Sequence, residues 1–484
     1  MLDFVSKALK NRFVGYLFSR YFTYFIQFAS SIFIATKLGP YYFGIWGFIL
    51  LLLNYFRVIN LGISNAVNIL IVQNRNDKER SVNYAYNAFI CLSFLFLAII
   101  LMGVYYYYYG ISLFDKYEIG SMFYWVCLIA ILTHINTLLM TLYRIKNRLS
   151  EIAIYQTIIP LLVAFFIFFE SERYLLNYLL GAYVGGNVIA LLVFILQNKV
   201  SVIGKYDKLI ILEILKKGMY LFIYNICFYL IIISIRTVIS VFYNVDEFGL
   251  FSFSFSLANA ILLFLQAISF VIFPKVIDKL KGTDNVKIHK IISSLRNSYV
   301  TLAFLLVFIA LPIFPFFTMF LEDYKDATGA LQLTSLAVIL YTISFGYGSY
   351  LLAQNKDKLI AALTFSCLIV NVIISLILVL IFKVNYEYVI IATMLSYTLY
   401  GYLTAKFALK YLGIKRSNSN YILEFFPIKL LIPYILAVVV VVYGNWAITT
   451  IPLIIFAVLN KKELLKLITT LKTMLSKPDI INLD

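Results

Sequence analysis

Only 23 of the 484 residues are acidic, and the apolar runs long enough to cross a bilayer hold a single one, Glu387 at the very start of the run 386–409. Charge of either sign is sparse at 13%, whereas 63% of the residues are hydrophobic and the mean hydropathy is +0.92. A soluble chain of ordinary composition carries about a quarter charged residues, so that class is excluded. The apolar runs are continuous and do not alternate with polar residues, which excludes a transmembrane β-barrel. No Gly-x-x-x-x-Gly-Lys-Ser/Thr phosphate loop occurs, so the chain is not an ATPase. Cysteine is as scarce. Cys91, Cys127, Cys227 and Cys367 all lie inside apolar runs and form no Cys-x-x-Cys pair. They read as small core residues, with neither a disulfide framework nor a metal or cofactor site.

What the chain does have is a succession of runs that can each cross a hydrocarbon core of roughly 30 Å as a helix. They fall at 13–36, 43–70, 83–108, 120–143, 152–169, 174–197, 218–243, 248–273, 297–320, 329–353, 359–382, 386–409, 428–443 and 446–460. The last two are short. The pattern gives about fourteen helices, or twelve if the final pair is a re-entrant hairpin, in an all-α polytopic membrane protein.

Basic residues set the orientation. The opening MLDFVSKALKNRF is a basic amphipathic segment that leads straight into the first run, with no cleavable signal peptide. If the N-terminus is cytoplasmic, the inner loops and tails, with the run ends that join them, hold 32 Lys and Arg and the outer loops only five. Short basic loops stay inside, so both termini are expected in the cytoplasm. The net charge of +17 then reports topology and needs no nucleic-acid partner. Anionic membrane lipids are a second contact for the inner loops. Tyr105–Tyr109, five tyrosines in a row at an outer end, suit a headgroup belt. The C-terminal KKELLKLITTLKTMLSK has the spacing of an interfacial helix.

Two echoes suggest an internal repeat. Tyr42-Phe-Gly-Ile-Trp-Gly-Phe48 returns as Glu247-Phe-Gly-Leu-Phe-Ser-Phe253, shifted by 205, and Arg144–Arg148 returns as Gln354–Lys358, shifted by 210. Six runs precede the basic stretch 198–217, so both copies start inside and the repeat is parallel. The expected division is an N-terminal lobe at 1–197, a cytoplasmic linker at 198–217, a C-terminal lobe at 218–411, an accessory pair at 412–460 and a tail at 461–484.

The basic start, the polar first helix and the turn Thr36-Lys-Leu-Gly-Pro-Tyr-Tyr-Phe-Gly-Ile-Trp46 resemble the Wzx-type O-antigen flippases. These belong to the polysaccharide-transporter branch of the multidrug/oligosaccharidyl-lipid/polysaccharide (MOP) exporter superfamily. The resemblance implies two pseudo-symmetric six-helix lobes around a central cationic cavity, with a helix pair appended. It also implies outward flipping of an undecaprenyl-pyrophosphate-linked oligosaccharide, an O-antigen repeat unit, across a bacterial inner membrane. A polysaccharide polymerase and a chain-length regulator are the protein partners it implies.

The residues give a physical argument beside the resemblance. Away from the ends of the runs, Arg20, Arg57 and Arg236 are the charges left in the membrane interior, with no carboxylate among them. A charge at mid-bilayer costs about 2.5–3.5 kcal/mol, and such residues face a cavity or a partner. With no acid available, an anionic ligand is the candidate partner. Arg57 lies about 20 Å along its helix at 1.5 Å per residue. On a continuous helix it shares a face with Asn54, Ser64 and Asn68. Arg20 shares one with Tyr24, Gln27 and Ser31. Arg236 aligns with Asn225 and Tyr229 near an outer end, where snorkelling to the headgroups is the alternative. His134 reads either as a hydrogen-bonded core residue or as a proton handler. Gln266, Gln332 and Asn371 either contact sugar hydroxyls or tie helices together.

Two rival functions have discriminating features. Polytopic polysaccharide polymerases and lipid-linked glycosyltransferases carry a long outer loop or an outer acidic motif. Here the longest outer loop, 109–119, is of ordinary length, and Glu322–Asp326 is the one dense acidic cluster. A multidrug exporter of the same superfamily needs negative charge inside the membrane to take up cations, and away from the ends of its runs this chain has none there. The expected protein is a transporter, not an enzyme.

Overall fold

A chain surrounded by lipid has to satisfy its backbone polar groups within itself, and apolar segments of this length do so as helices. The computed structural model describes residues 12–467 apart from 75–76, 170–171, 198–201, 281–283, 415–417 and 444–445. The basic start, the first residues of the linker, most of the C-terminal amphipathic segment and the side chain of Gln266 lie outside the described residues. Among the described residues there are helices and turns but no strand.

In chain order the helices are α1 (Arg12–Val58), α2 (Ile63–Gln73), α3 (Lys78–Tyr109), α4 (Ser112–Lys116), α5 (Met122–Ile145), α6 (Leu149–Phe166), α7 (Glu172–Gln197), α8 (Lys208–Phe242) and α9 (Val245–Leu280). There follow α10 (Asn285–Met319), α11 (Thr328–Ile343), α12 (Tyr347–Ala353), α13 (Asp357–Leu380), α14 (Ile390–Tyr411), α15 (Asn418–Phe425), α16 (Ile428–Val442) and α17 (Thr450–Leu459). Eleven helical segments among the described residues are long and apolar enough to cross a membrane, and one of them, Ser19–Gln73, holds two of the expected runs. The accessory helices α16 and α17 have 15 and 10 residues, short of the ~20 that span a bilayer.

α1 turns a corner at Gly39, whose φ of 64° and ψ of 171° are strained for any residue with a Cβ. Pro40 follows and cannot donate to the helix ladder. This corner is the Leu-Gly-Pro turn singled out in the sequence.

Two expected runs, 43–70 and 329–353, are not continuous helices. The first breaks over 59–62, where Leu61 and Gly62 take φ of 50° and 71°. The second breaks over 344–346, with Gly346 at 92°. A Cβ at Gly62 would sit 2.8 Å from Phe222 Cβ and 3.1 Å from the Gly218 carbonyl oxygen, so α8 presses on the first break where only glycine fits. The second break is held by Arg296 on α10, which is buried and donates to the carbonyls of Ile343 and Phe425.

By internal contacts the chain forms two compact units, residues 1–226 with 244–249, and residues 227–243 with 250–484. The division falls inside α8 and after the first turn of α9. In the first unit a core of Ile63, Leu70, Leu92, Leu138 and Ile214 joins α2, α3, α5 and α8. The described part of the linker is docked there. Asn83 accepts from the Lys205 amide at 2.9 Å, and Asn87 bonds both the Lys205 carbonyl and the Asp207 amide, each at 2.9 Å.

The two echoing motifs meet in this first unit. A Cβ at Gly44 would overlap the Val245 carbonyl oxygen, and a Cβ at Gly249 would overlap the Pro40 carbonyl oxygen. The glycines that correspond under the shift of 205 are thus the two that let the α1 corner and the first turn of α9 cross backbone on backbone.

In the second unit, Phe456 of α17 stacks on Phe304 of α10 at 5.5 Å and meets Phe308 at 5.4 Å, which anchors the accessory pair. Beyond α17, Glu463 pairs with Lys429, and Asn460 donates to the Lys429 carbonyl at 3.0 Å.

Candidate functional site

The break after Val58 decides the setting of Arg57. It places Arg57 in the last turn of a half-helix, where the final four carbonyls lack intrahelical donors. The negative end of the helix dipole there favours a cation by about 0.3–1 kcal/mol, or up to ~2 kcal/mol in a partly buried setting. That offsets part of the ~2.5–3.5 kcal/mol cost of a mid-bilayer charge. A further anionic partner has something left to stabilise.

Arg57 is exposed, and it lines a cavity of about 70 Å³ in the first unit. Its walls are Leu53 of α1, Ile129, Ala130 and Thr133 of α5, Tyr155 and Ile159 of α6, and Tyr183 and Asn187 of α7. One water occupies about 10–15 Å³ on this scale, so the cavity holds several waters or one small polyatomic group. The lining offers a guanidinium, two phenols, a hydroxyl and an amide, and no carboxylate. Such a set of donors suits an oxyanion.

The donors are held in place. Tyr183 packs edge-on against Trp46 of α1 at 5.6 Å, and its carbonyl accepts from Asn187 at 2.8 Å. Asn136 of α5 donates to Asn187 at its backbone carbonyl and side-chain oxygen, at 2.9 and 3.0 Å. Tyr155 is bonded to Thr137 and lies 5.8 Å from Phe194. Gly186 lets α7 close on α6, since a Cβ there would meet Ile159 at 2.6 Å.

Of the residues expected from the sequence, Arg57 is the one that lines this cavity. Asn54 is half-buried one turn before it on α1. The shared stripe with Ser64 and Asn68 requires correction, because the turn at 59–62 resets the helical phase. Ser64 is buried and tied to Asn60, whose amide donates to it at 3.3 Å, while Asn68 is half-buried on α2 beyond the break. Arg20 is half-buried, donates to Tyr24 and lies 4.7 Å from that ring. Gln27 and Asn225 are exposed. Arg236 does not snorkel. It is 3% exposed in the second unit, with its guanidinium 4.8 Å from the Phe255 ring centre.

His134 is 1% exposed and donates to the Phe56 carbonyl. Gln332 donates to the Leu311 carbonyl, and Asn371 to the Ile231 carbonyl and Ser234, so both tie helices within the second unit. Tyr105, Tyr107, Tyr108 and Tyr109 are exposed, while Tyr106 packs against Phe114 and Phe123. The four cysteines are buried and unpaired.

Thr133, Tyr155, Tyr183 and Asn187 escaped the sequence reading. Nothing in a chain with 39 tyrosines marks two of them as cavity walls.

No protein-family model matches this chain, and no curated protein matches it in sequence. Solved structures do match in fold. The lipid II flippase MurJ in an inward closed conformation aligns over 95% of this chain and 99% of its own, with a TM-score of 0.67 and 13% identity. An inward-facing multidrug-resistance MATE family transporter of the MOP superfamily aligns over 81% of this chain and 94% of its own, with a TM-score of 0.60 and 15% identity. The chain therefore has the fold of these membrane transporters.

Proposed function

We propose that the protein is a flippase that carries a lipid-linked, pyrophosphate-bearing oligosaccharide outward by alternating access. The observation that carries this reading is Arg57, exposed and lining a carboxylate-free cavity, in a chain whose solved neighbours are a lipid II flippase and a transporter. Those neighbours favour transport over catalysis. The charge sign favours an anionic cargo over the cations that a multidrug exporter takes. Within that class we assign an undecaprenyl-pyrophosphate-linked O-antigen repeat unit as substrate and a bacterial inner membrane as location, on the resemblance of the Leu-Gly-Pro-aromatic-Phe-Gly turn. A polysaccharide polymerase and a chain-length regulator are its proposed partners.

In this mechanism Arg57 offers its planar fork to the phosphate oxygens. Tyr155, Tyr183 and Thr133 supply hydroxyl donors around them. The cavity is too small for a sugar, so the glycan and the polyprenyl tail stay outside it. A cargo of charge near −2 moving outward down a negative-inside potential gains about 4–5 kcal/mol per 100 mV.

The test replaces Arg57 and measures protein abundance beside surface glycan. Arg57→Ala is expected to leave abundance unchanged and stop export. Arg57→Lys is expected to restore part of it, because a point charge loses the bidentate match. Full export by Arg57→Gln at normal abundance would end the assignment.

A further inference from the structure

We infer that His134 is a positioning residue that sets where Arg57 is presented, by holding the end of the half-helix that carries it. α1 stops at Val58, and the Ile59 amide divides itself between the Tyr55 and Phe56 carbonyls at 3.2 and 3.1 Å. The Phe56 carbonyl, on the residue just before Arg57, takes a second donor from His134 across the gap to α5.

The His134 ring bonds the Phe56 carbonyl through one nitrogen alone. Its Nε2 is buried without a hydrogen-bond partner, so the bond to Phe56 runs from Nδ1. An imidazole kept only for its bulk would leave one buried nitrogen unmet for no return. Here the ring is spent on one carbonyl.

His134 follows Thr133, and Ile129, Ala130 and Thr133 of the same helix line the cavity. One helix thus supplies a wall and fixes the height at which the cation enters. α8 restrains the other side of the break through Gly218 and Phe222 against Gly62. Arg57 is held between two grips, one of which is a single hydrogen bond.

The transport part of this inference rests on Arg57 as the phosphate contact; the structural part does not. Both are read on purified protein. Hydrogen exchange of the segment 54–62 is expected to quicken in His134→Leu and return toward the wild-type rate in His134→Asn, whose amide nitrogen replaces Nδ1. Arg57→Gln should leave that exchange unchanged. Unaltered exchange in His134→Leu overturns the hold on the helix end.

In liposomes, with a lipid-linked pyrophosphate glycan as cargo, His134→Leu should raise the half-saturating concentration about tenfold while the maximal rate holds. His134→Asn should recover most of that. Added to Arg57→Gln, His134→Leu should cost nothing further, because the grip then has no cation to place. An equal loss in both backgrounds, or no rescue by Asn at normal abundance, overturns the positioning role. Normal flipping by Arg57→Gln alone removes the phosphate contact instead, and the exchange result still decides the hold.

Discussion

At Arg57 the sequence and the fold agree on what is unusual and differ on why it is tolerated. The sequence exposes Arg57 because a charge in an apolar run has a cost that must be met. The half-helix end meets part of it, and that end is invisible in composition. The partners of Arg57 are hidden for another reason. Tyr155 and Tyr183 sit at positions where a wall tyrosine and a lipid-facing tyrosine look alike until helices α6 and α7 are packed. Their contribution is measurable. Tyr183→Phe keeps the ring against Trp46 and removes one donor. It should weaken cargo binding by about fivefold, the worth of ~1 kcal/mol for one hydrogen bond. A half-saturating concentration equal to wild type would remove Tyr183 from the site.

Helices are where the hydropathy pattern is most informative, because length and apolarity suffice to place them. Every expected run coincides with a helix or a pair of helical pieces. The breaks at 59–62 and 344–346 are not legible in that way. Neither contains proline, and Gly62 and Gly346 are two glycines among 21. They depend on Gly218, Phe222 and Arg296, which are distant in sequence. Each half carries one break, in its second and fourth run respectively, so the repeat is not copied at this level.

The crossing of the echo motifs makes a stability prediction. Gly44→Ala and Gly249→Ala each force a methyl into backbone and should cost about 1–3 kcal/mol, the usual range for overpacking. Gly181, with open space around it, is the control. Melting temperatures in detergent compare them, and a Gly44→Ala protein as stable as Gly181→Ala would contradict the crossing.

The Lys429–Glu463 tie carries a pH signature. Burial raises the Glu463 carboxyl, but the hydrogen bond from Lys429, a backbone hydrogen bond and the Lys429 and Lys462 charges together outweigh it, and the net shift is downward. The pair's contribution, under about 1 kcal/mol, is therefore complete above the ordinary glutamate value of about 4.3. It fades as pH falls through the lower folded value. Glu463→Gln should melt below wild type at pH 7, with the gap closing in acid.

For the molecule as a whole, the charge asymmetry is the most readable property and the arrangement of the halves the least. The bias of basic residues predicts that the linker region around Lys205 is cytoplasmic, and its docking on Asn83 and Asn87 puts the start of α3 on the same side. Membrane-impermeant labelling of a cysteine at 205 should fail from outside in intact cells and succeed after permeabilisation.

The central claim is the sign and chemistry of the cargo. Purified protein in liposomes with an imposed potential should move a fluorescent glycan on a polyprenyl pyrophosphate, and Arg57→Gln should slow that movement at least tenfold. It should move neither the same glycan on a lipid without phosphate nor an organic cation. Equal movement of the phosphate-free glycolipid, or transport of the cation instead, would contradict the account.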